Sequence, residues 1–500
     1  MHRPLTMGLL AMAMLMAGCS TQQPLERPAI DVPEHFKEAG RLGGDSDIWK
    51  QARTDLSSDG LQVPARWWTL YGDATLDTLQ DEAQAGSQTL AQAVARVRAA
   101  EASVASSRAS LFPTLGTTAS GSRARTGGGS YSNSSGENVA RSGSINNTYS
   151  LGLNASWEVD LWGRVSGTVS ASEASAAASR FDLAAARLSL QASVAQTYFS
   201  IRAAEAQQRL LKETLQAYEQ SWQLTQNRYR SGVASSADVA QAESQYKSTQ
   251  AQLIESQSTR AQLEHALAAL LGKVPASFDL PETGVLPAPP VVPAMLPSQL
   301  LERRPDIASA ERSMAAANAQ VGVARAAYFP SLTLSASGGY RNSSLSNLLS
   351  LPNLFWSLGP SLALSLFDGG ARSAAVESAR AQLDLTAATY RGTVISALQE
   401  VEDNLVVASS LAEESTVQNE AAAAARKALT VANNQYKAGI VAYLNVLSAQ
   451  TTVLSAERSL IDLHNRRLVA VNTLLKNVAG SWDGQAGEPA TGSVTGSARE

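Results

Sequence analysis

Apolar and polar residues alternate along two similar stretches of this chain. From Tyr149 to Leu161 every second side chain is apolar, and the side chains between them are small, polar or acidic. Residues 354–366 show the same alternation, although Phe355 interrupts the polar side. Because successive side chains of a β-strand point to opposite faces, both stretches are predicted to be strands with one apolar face.

Weaker patterns predict two more strands. Residues 332–337 alternate leucine or alanine with threonine or serine, and residues 115–125 show the weakest alternation of the four stretches. Loops rich in turn-forming residues are predicted between the paired strands, at 126–144 and 342–352. Four strands with one apolar face favour the wall of an outer-membrane barrel, whereas a soluble sandwich would use the same alternation.

Two long tracts are predicted to be helices. Residues 164–230 and 370–437 contain no proline, and at about 1.5 Å per residue each helix would be about 100 Å long. In the first tract, residues spaced four and three apart form one stripe, which is the spacing of a coiled-coil seam. The stripe comprises Ile201, Ala204, Gln208, Leu211, Leu215, Tyr218, Trp222, Thr225 and Tyr229.

Each tract ends at a glycine and is followed by another predicted helix. Gly232 precedes a helix at 236–271, and Gly439 precedes a helix at 443–478. Each pair of helices is therefore predicted to form a long antiparallel hairpin. Helices of this length cannot bury their apolar stripes within one chain, so they require neighbouring helices at their sides.

The chain is a tandem duplication. Arg108–Leu115 returns as Arg325–Leu332, offset by 330 − 113 = 217, and Tyr229–Val233 returns as Tyr436–Ile440, offset by 436 − 229 = 207. Copies of about 200 residues fit a duplicated domain better than a solenoid unit. The predicted organisation is a signal peptide at 1–18, an N-terminal segment at 19–65, repeat 1 at 66–280, a proline-rich linker at 281–297, repeat 2 at 298–479 and a disordered tail at 480–500.

Four strands cannot close a membrane barrel, because the smallest such barrels have about eight. The wall must then be shared between chains: two copies would supply eight strands, and three would supply twelve with room for a lumen. The predicted fold class is mixed α and β, with four barrel strands and long antiparallel coiled-coil helices in each chain.

The composition excludes several classes of function. A formal net charge of −4 gives no support for nucleic-acid binding. The four histidines, His2, His35, His265 and His464, are scattered, so no metal site or cofactor is predicted. Neither a phosphate-binding GxxxxGK[ST] loop nor a GxSxG elbow is present, and the chain is therefore not expected to be an enzyme.

The N-terminus resembles a bacterial lipoprotein signal. The apolar run Met7–Ala17 is too short to span a bilayer, as in a secretory signal peptide. It leads into Leu15-Met16-Ala17-Gly18-Cys19, where Met16 replaces the usual leucine. The resemblance implies cleavage before Cys19, diacylglycerol and N-acyl (palmitate) chains on that residue, and sorting to the outer membrane because Ser20 follows. An ordinary signal peptide with an incidental cysteine is the alternative.

Several passages together resemble the outer-membrane efflux protein family, the TolC-like channels, and most closely its lipoprotein branch. The likeness spans about residues 64–479, and its specificity comes from motifs that recur at the right spacings. The passages are Trp67-Trp68 with Leu76, residues 301–307 (LERRPDI), the two Phe-Pro strand starts, residues 157–164 (WEVDLWGR), residues 366–370 (LFDGG) and the two Tyr-x-x-Gly turns.

The resemblance implies a homotrimer in the outer membrane of a Gram-negative bacterium. Three chains would form a twelve-stranded β-barrel and a periplasmic α-helical tunnel, which meets a periplasmic adaptor protein and, through it, an inner-membrane efflux pump. The implied function is a passive exit duct of a tripartite efflux system for small toxic compounds. The alternatives are a type I protein secretion channel and a structural coiled-coil surface lipoprotein.

The resemblance also places candidate functional residues at the periplasmic tip, where the tunnel is closed at rest. The tip turns contain Gly232 and Gly439. Tyr436 matches a tyrosine of the closed-state contacts, and Leu444 matches an apolar constriction. The remaining positions are Asn445 and Ser448, where relatives often carry aspartates, and Asp238, the remaining acid near a tip turn.

One of these assignments has a structural alternative, and two further motifs are interpreted as structural. Asp238 is a candidate for lining the entrance, and a solvated acid at a helix start is the alternative. Pro113 and Pro330 are interpreted as helix-to-strand breaks, because a proline disfavours helix in the residue before it. Arg304-Pro305-Asp306 is interpreted as a helix start, with proline in the first position and an acid in the first turn.

Overall fold

The computed structural model describes most of the two repeats. The signal peptide, Cys19, the tail and part of the proline-rich linker lie outside the described residues. The described residues are 24–26, 28–29, 36–38, 66–132, 138–141, 143–290 and 304–478.

The elements follow one another in the order predicted for a duplicated chain. Repeat 1 contains α1 (Ala74–Gly86), α2 (Gln88–Ala109), β1 (Thr114–Arg125), β2 (Gly129–Ser132), β3 (Asn138–Arg141), β4 (Ile145–Val159), α3 (Arg164–Arg230) and α4 (Ser236–Leu270). Repeat 2 contains α5 (Pro305–Ala326), β5 (Ser331–Asn342), β6 (Leu354–Ala363), α6 (Ala371–Lys437) and α7 (Tyr443–Val478).

The duplication is visible in the element lengths. Helices α2 and α5 each have 22 residues, and the long helices α3 and α6 each have 67. The predicted helical tracts at 164–230 and 370–437 are confirmed to within one residue. These tracts lack proline and are rich in alanine, glutamine and leucine, so nothing interrupts their hydrogen-bond ladders.

The described chain divides into two compact units that cut across the repeats. The strand unit contains Val97–Ala178 and Ala310–Tyr390, and therefore strands from both repeats. The helix unit is formed by the described parts of Ala29–Arg96, Ser179–Ser309 and Arg391–Glu500. The compact units are thus not the sequence repeats, because each repeat contributes half of the sheet and half of the helix bundle.

The strand unit contains a four-stranded antiparallel sheet in the order β1-β4-β5-β6. Its register places Ala119 opposite Leu151, Leu151 opposite Tyr340, and Tyr340 opposite Leu354. Since directly opposed residues share a face, the apolar alternates of all four strands lie on one side. That side carries Leu115, Ala119, Tyr149, Leu151, Leu153, Ala155, Trp157, Val159, Leu332, Leu334, Ala336, Tyr340, Leu354, Trp356, Leu358, Pro360 and Leu362.

Strand boundaries differ from the sequence expectation at several strands, and β5 extends beyond the predicted 332–337 to Asn342. β4 begins four residues early, at Ile145, and ends at Val159 because Asp160 accepts hydrogen bonds from the first backbone amides of α3. β6 ends at Ala363, where its partner β5 begins. The predicted loop 126–144 contains the short hairpin β2–β3, which its polar composition did not indicate.

The core of the helix unit is built around the beginning of repeat 1. Trp67 and Trp68 are fully buried and meet edge to face at 6.0 Å. The Trp67 indole donates a hydrogen bond to Gln191 on α3. Their cluster also includes Leu76, Tyr198, Phe199, Ile201, Leu267, Leu271, Leu468 and Leu475. The predicted coiled-coil stripe on α3 is buried or half-buried along its length, except that Tyr229, in the last helical turn, is 50% exposed.

Candidate functional site

Both predicted tip turns are helix ends closed by a left-handed glycine. At the end of α3, Gly232 has φ 71° and its N–H donates to the Tyr229 carbonyl, while the Val233 N–H donates to Arg228. At the end of α6, Gly439 has φ 78°, its N–H donates to Tyr436 and the Ile440 N–H donates to Gln435. This pair of bonds is the Schellman motif, which requires a residue that tolerates positive φ.

Asp238 lies in the first turn of α4 as part of a capping box. Its backbone N–H donates to Ser235 Oγ at 3.1 Å, and the Ser235 N–H donates to Asp238 Oδ2 at 3.0 Å. The two residues thereby satisfy two amides that the helix cannot satisfy itself. The structure of the single chain therefore gives Asp238 a structural role, as the capping-box partner of Ser235 at the start of α4.

Tyr436 is buried where the ends of the two hairpins pack together. The guanidinium of Arg228 lies 4.6 Å from its ring centroid, and Arg228 Nη1 donates to the Tyr436 carbonyl at 2.9 Å. The ring centroid of Tyr443 lies 5.5 Å from that of Tyr436, and the Tyr443 hydroxyl oxygen accepts a hydrogen bond from the Ser221 hydroxyl. Burial raises the pKa of the Tyr443 hydroxyl, and the charge of Asp238 acts in the same direction. We call Arg228, Tyr436 and Tyr443 the tip cluster.

Three candidate residues lie apart from the tip cluster on an exposed side of α7. Leu444 is 56% exposed, and Asn445 and Ser448 are exposed as well. Ser448 lies four residues after Leu444 and three after Asn445, so it is a neighbour of both on the surface of the helix. The candidates therefore separate into a buried group around Tyr436 and an exposed group that a single chain leaves open to other molecules.

Pro113 and Pro330 lie in the strand unit between a helix and a strand. Pro113 directly precedes β1, and Pro330 directly precedes β5. Beside the second break, Trp162 stacks on Phe329 at 4.8 Å and donates a hydrogen bond to the Pro330 carbonyl at 2.7 Å. Phe112, the counterpart of Phe329 in repeat 1, is 68% exposed and stacks on no aromatic ring among the residues that the structure describes.

Sequence reasoning missed Arg228, although one signal was available. Its counterpart in repeat 2, 207 positions later, is the uncharged Gln435, so only repeat 1 carries a charge at this position. In the structure this unmatched charge makes a contact between the two copies. The cation–π contact between Arg228 and Tyr436 is that contact.

Sequence reasoning also missed an ion network in the helix unit. Arg202 and Glu205 are almost fully buried, and Arg260 donates to the same carboxylate at 3.2 Å. Glu205 also accepts the backbone N–H groups of Thr283 and Gly284 at 3.1 and 2.9 Å. The network therefore fixes the first residues of the proline-rich linker against α3 and α4.

A second ion network surrounds the predicted helix start at Arg304. This side chain donates to Asp306 beside it, to Glu400 on α6 and to Asn477 on α7, the last two at 2.9 Å. Pro305 and Asp306 occupy the first turn of α5, as expected. The Arg304 contacts tie this start to the second hairpin.

No group of three or more potential metal ligands occurs among the residues that the structure describes. Within those same residues, every helix is too short or too polar to serve as a membrane span.

Comparison with known proteins gives matches over nearly the whole chain. The model of the family described as outer membrane efflux protein matches residues 79–273 and 296–480. The probable efflux pump outer membrane protein TtgC of Pseudomonas putida is 31% identical over 486 residues, which cover 96% of each chain. The cation efflux system protein CusC of Escherichia coli is 30% identical over 94% of this chain and 97% of its own length. The open-state outer membrane channel MtrE of Neisseria gonorrhoeae superposes with a TM-score of 0.77 at 29% identity, covering 92% of this chain and 98% of MtrE.

Proposed function

Because this chain belongs to the outer membrane efflux protein family, we propose that it is the outer-membrane exit duct of a tripartite efflux system. The duct passively exports small toxic compounds that an inner-membrane pump and a periplasmic adaptor deliver to it. It lies in the outer membrane of a Gram-negative bacterium, with its long helices in the periplasm. The duct needs no catalytic group, because the pump supplies the energy and selects the cargo.

The observation that carries this proposal is the two-faced sheet. Its apolar face is open in the single chain, with Leu153 56%, Leu358 68% and Trp356 78% exposed. Its other face is small and polar, and Ser120 and Ser150 are hydrogen-bonded there at 2.8 Å. Such a sheet suits lipid on one side and water on the other. Three copies would supply the twelve strands of a barrel with an aqueous lumen.

The test is deletion of the gene and complementation in the native host. Loss of the duct is expected to raise intracellular accumulation of a fluorescent efflux substrate and to lower the inhibitory concentration of several toxic compounds. The wild-type gene should restore both. Loss of a secreted protein with unchanged accumulation would favour a type I secretion channel. A deletion strain in which both efflux and protein secretion are unchanged would favour a structural lipoprotein.

The exposed group on α7 is proposed to line the periplasmic entrance. Leu444, Asn445 and Ser448 would face the threefold axis, with the turns at Gly232 and Gly439 forming the tip. The exposure of all three supports this placement. Since Asn445 and Ser448 carry no charge, the ring they form would bind cations weakly.

Replacing Asp238 by asparagine tests whether this acid also contributes to the entrance. Asparagine keeps a side-chain oxygen that can accept the Ser235 N–H in the capping box, so the start of α4 should remain intact while the charge is lost. If three copies of Asp238 line the entrance, block of single-channel current by divalent cations should weaken about tenfold, because a ring of three charges is removed. Asp279→Asn, outside α4, is the control. Unchanged block would leave Asp238 as a helix cap only.

The N-terminal anchor is proposed to be a lipid on Cys19, the only cysteine of the chain. Buried acyl chains contribute about 0.8 kcal/mol per methylene group, so several chains together hold firmly. Mass spectrometry of the N-terminal peptide of the mature protein tests this proposal. The expected peptide begins at Cys19 and carries diacylglycerol and N-acyl masses. A peptide with an unmodified cysteine would contradict it.

The segment after the anchor is fastened to the helix unit at Phe36. This side chain is 5% exposed and packs with Val401, Leu405 and Leu474. The N–H groups of Lys37 and Glu38 both donate to the Glu402 carboxylate, at 2.7 and 3.1 Å. The contact holds the described residues 36–38 against α6 and α7.

Replacing Glu402 by glutamine is expected to loosen this contact without unfolding the bundle. Bonds to a charged acceptor contribute about 1.5–3 kcal/mol, so cleavage by trypsin after the exposed Lys37 should accelerate about tenfold or more. Limited proteolysis followed by N-terminal sequencing measures the rate. Glu413→Gln, an exposed position on the same helix, is the control. Equal cleavage rates in the two variants would contradict the role of Glu402.

A further inference from the structure

The charged side chains of the four-stranded sheet are divided between its two ends. The strands contain four of them, which are Arg123 and Arg125 in β1, Glu158 in β4 and Arg341 in β5. Glu158 lies at the end where β4 leads into α3, and it is paired there with Arg164. The three strand arginines lie at the far end of the sheet, where β1 ends and β4 begins. The strands therefore bring only positive charge to this far end.

Arg123 and Arg125 lie on the apolar face of the sheet. They belong to the same alternate of β1 as Leu115 and Ala119, because residues two apart along a strand share a face. The register agrees, since Arg125 lies opposite Ile145 in the apolar alternate of β4. Both arginine side chains are exposed, and no carboxylate of the described residues is paired with either. Two unneutralised cations thus end a face on which the strands carry no other charge.

Arg341, the third arginine of the far end, lies on the polar face. It is opposite Ser150, which is hydrogen-bonded to Ser120 on that face. Its guanidinium lies 4.9 Å from the ring centroid of Phe355. The two faces therefore differ at this end, because the polar face has one cation over an aromatic ring and the apolar face has a pair of cations.

The apolar face changes in character in a fixed order towards the far end. Along β4, Leu153 and Leu151 are followed by Tyr149, whose ring lies against Gly121 of β1, 3.2 Å from the point where a β-carbon would be. Arg123 is the next residue of this face beyond Gly121. Tyrosine rings lie at the level of the lipid headgroups at a membrane surface. An arginine directly beyond such a ring is therefore at headgroup level or above it.

The distances along β1 fit the thickness of a membrane. Arg123 follows Leu115 by 123 − 115 = 8 residues, which is about 27 Å along a strand. With a strand tilt of about 40°, Arg123 and Arg125 lie about 21 and 26 Å above the level of Leu115. The apolar band of a membrane barrel is about 25 Å tall. The two arginines are thus placed at its far boundary.

We propose that Arg123 and Arg125 bind the phosphate groups of an anionic lipid in the outer leaflet of the membrane. This inference rests on the proposed function, which puts the long helices in the periplasm and the far end of the sheet at the cell surface. The Cα atoms of two residues on one face of a strand are about 7 Å apart, so both guanidinium groups can donate to one phosphate. We call Arg123, Arg125 and Tyr149 the rim site.

The apolar surroundings favour a lipid over a dissolved anion. The stem of an arginine can lie along apolar surface, such as that of the half-exposed Ile145 opposite Arg125, while its charged end reaches outward. Acyl chains below a bound headgroup would meet Leu151 and Leu153, which are 40% and 56% exposed. The loop 126–144 contains one acid and one arginine, so its formal charges cancel and the rim site stays positive.

Binding of a phosphorylated glycolipid by the full-length protein tests the rim site. The probe is lipid A with two phosphate groups, added to protein purified in a non-ionic detergent and freed of endogenous lipid. Native mass spectrometry counts the lipid molecules bound. The same lipid A without its phosphates is the comparison. Wild-type protein should bind the phosphorylated form at least about tenfold more tightly. Equal binding of the two forms would overturn the proposal without the need for a variant.

Replacing Arg123 and Arg125 together by glutamine removes both cations and keeps long polar side chains. Each basic residue at a membrane surface strengthens the attraction to anionic lipid about fivefold, so the double variant should bind phosphorylated lipid A about thirtyfold more weakly. Arg341→Gln is the matched control, because it removes a cation from the same end of the sheet but from the other face. Its affinity should equal that of wild type. Wild-type affinity in the double variant, or a fivefold loss in Arg341→Gln, would overturn the rim site.

Efflux and lipid A binding are separate measurements, so the two proposals can fail separately. Efflux restored by the wild-type gene, with no preference of the wild-type protein for phosphorylated lipid A, would overturn the rim site and leave the duct intact. A wild-type gene that does not restore efflux would overturn the duct, whatever the lipid titration gives. Restored efflux, a preference for the phosphorylated lipid and its loss in the double variant would support both. If the double variant does not reach the membrane, the comparison of the two lipid A forms on wild-type protein decides.

Discussion

Replacing Glu205 by glutamine is expected to destabilise the helix unit by about 3–5 kcal/mol, because it leaves a buried arginine without its counter-charge. Arg202 and Glu205 are 1% and 2% exposed, and their charges are 2.8 Å apart. The same carboxylate accepts the backbone N–H groups of Thr283 and Gly284. The variant should therefore also release the first residues of the linker. Urea unfolding followed by the helical circular-dichroism signal measures the loss.

The pH dependence identifies the charge as the cause. Burial alone would raise the pKa of Glu205, but hydrogen bonds from Gly284 and Arg202 outweigh it and lower the pKa below its usual value of 4.5. The stabilisation is then complete above about pH 4.5 and disappears as the pH falls through the lowered pKa. The difference between wild type and variant should narrow on acidification. Glu213→Gln, exposed on the same helix, should unfold like wild type at every pH.

If the tip cluster lies at the proposed periplasmic entrance, replacing Arg228 by alanine is expected to open that entrance. The side chain contributes a cation–π contact of about 0.5–2 kcal/mol and a charged hydrogen bond of about 1.5–3 kcal/mol to Tyr436. A loss of about 3 kcal/mol from the closed arrangement would raise the open fraction roughly a hundredfold, if the open tip lacks both contacts. Conductance of the purified protein in planar bilayers measures this fraction.

Arg230→Ala provides the matched control for the tip. Arg230 lies two residues further on α3, is exposed, and donates only a long hydrogen bond of 3.3 Å to Asn227. Its replacement should leave conductance unchanged.

Cells that produce the Arg228→Ala variant should become sensitive to large antibiotics normally excluded by the outer membrane. Wild-type conductance in Arg228→Ala would contradict a locking role for the tip cluster.

The local patterns of the sequence were sufficient for the elements of the fold. The absence of proline between 164 and 230 and the glycine that follows located α3 to the residue, because helix interruption and termination are local properties. Strict alternation located β4 and β6, and weaker alternation located β1 and β5. The ends of strands differed from the prediction where pairing with a neighbouring strand sets them, as at Ala363, where the partner strand β5 begins.

The candidate residues could be named from the sequence but not divided into buried and exposed ones. Tyr436 is buried and Leu444 exposed, although both lie within one short stretch of chain. Which side chain faces inward depends on how α3, α4, α6 and α7 pack, and a sequence repeat does not specify that packing. The alternation of β1 was weak for a related reason: a strand of small residues shows its faces only beside a paired strand.

The sequence by itself determined the duplication, the lengths of the helices, the two-faced strands and the two glycine turns, because each depends on the backbone and its nearest neighbours. Only the tertiary structure decided the contacts between distant positions. Arg228 reaches Tyr436 across 208 residues, Glu205 holds Gly284 across 79, and Arg304 reaches Asn477 across 173. A buried charge is stable only beside a partner that is close in space, and its position along the chain does not specify which residue that partner is.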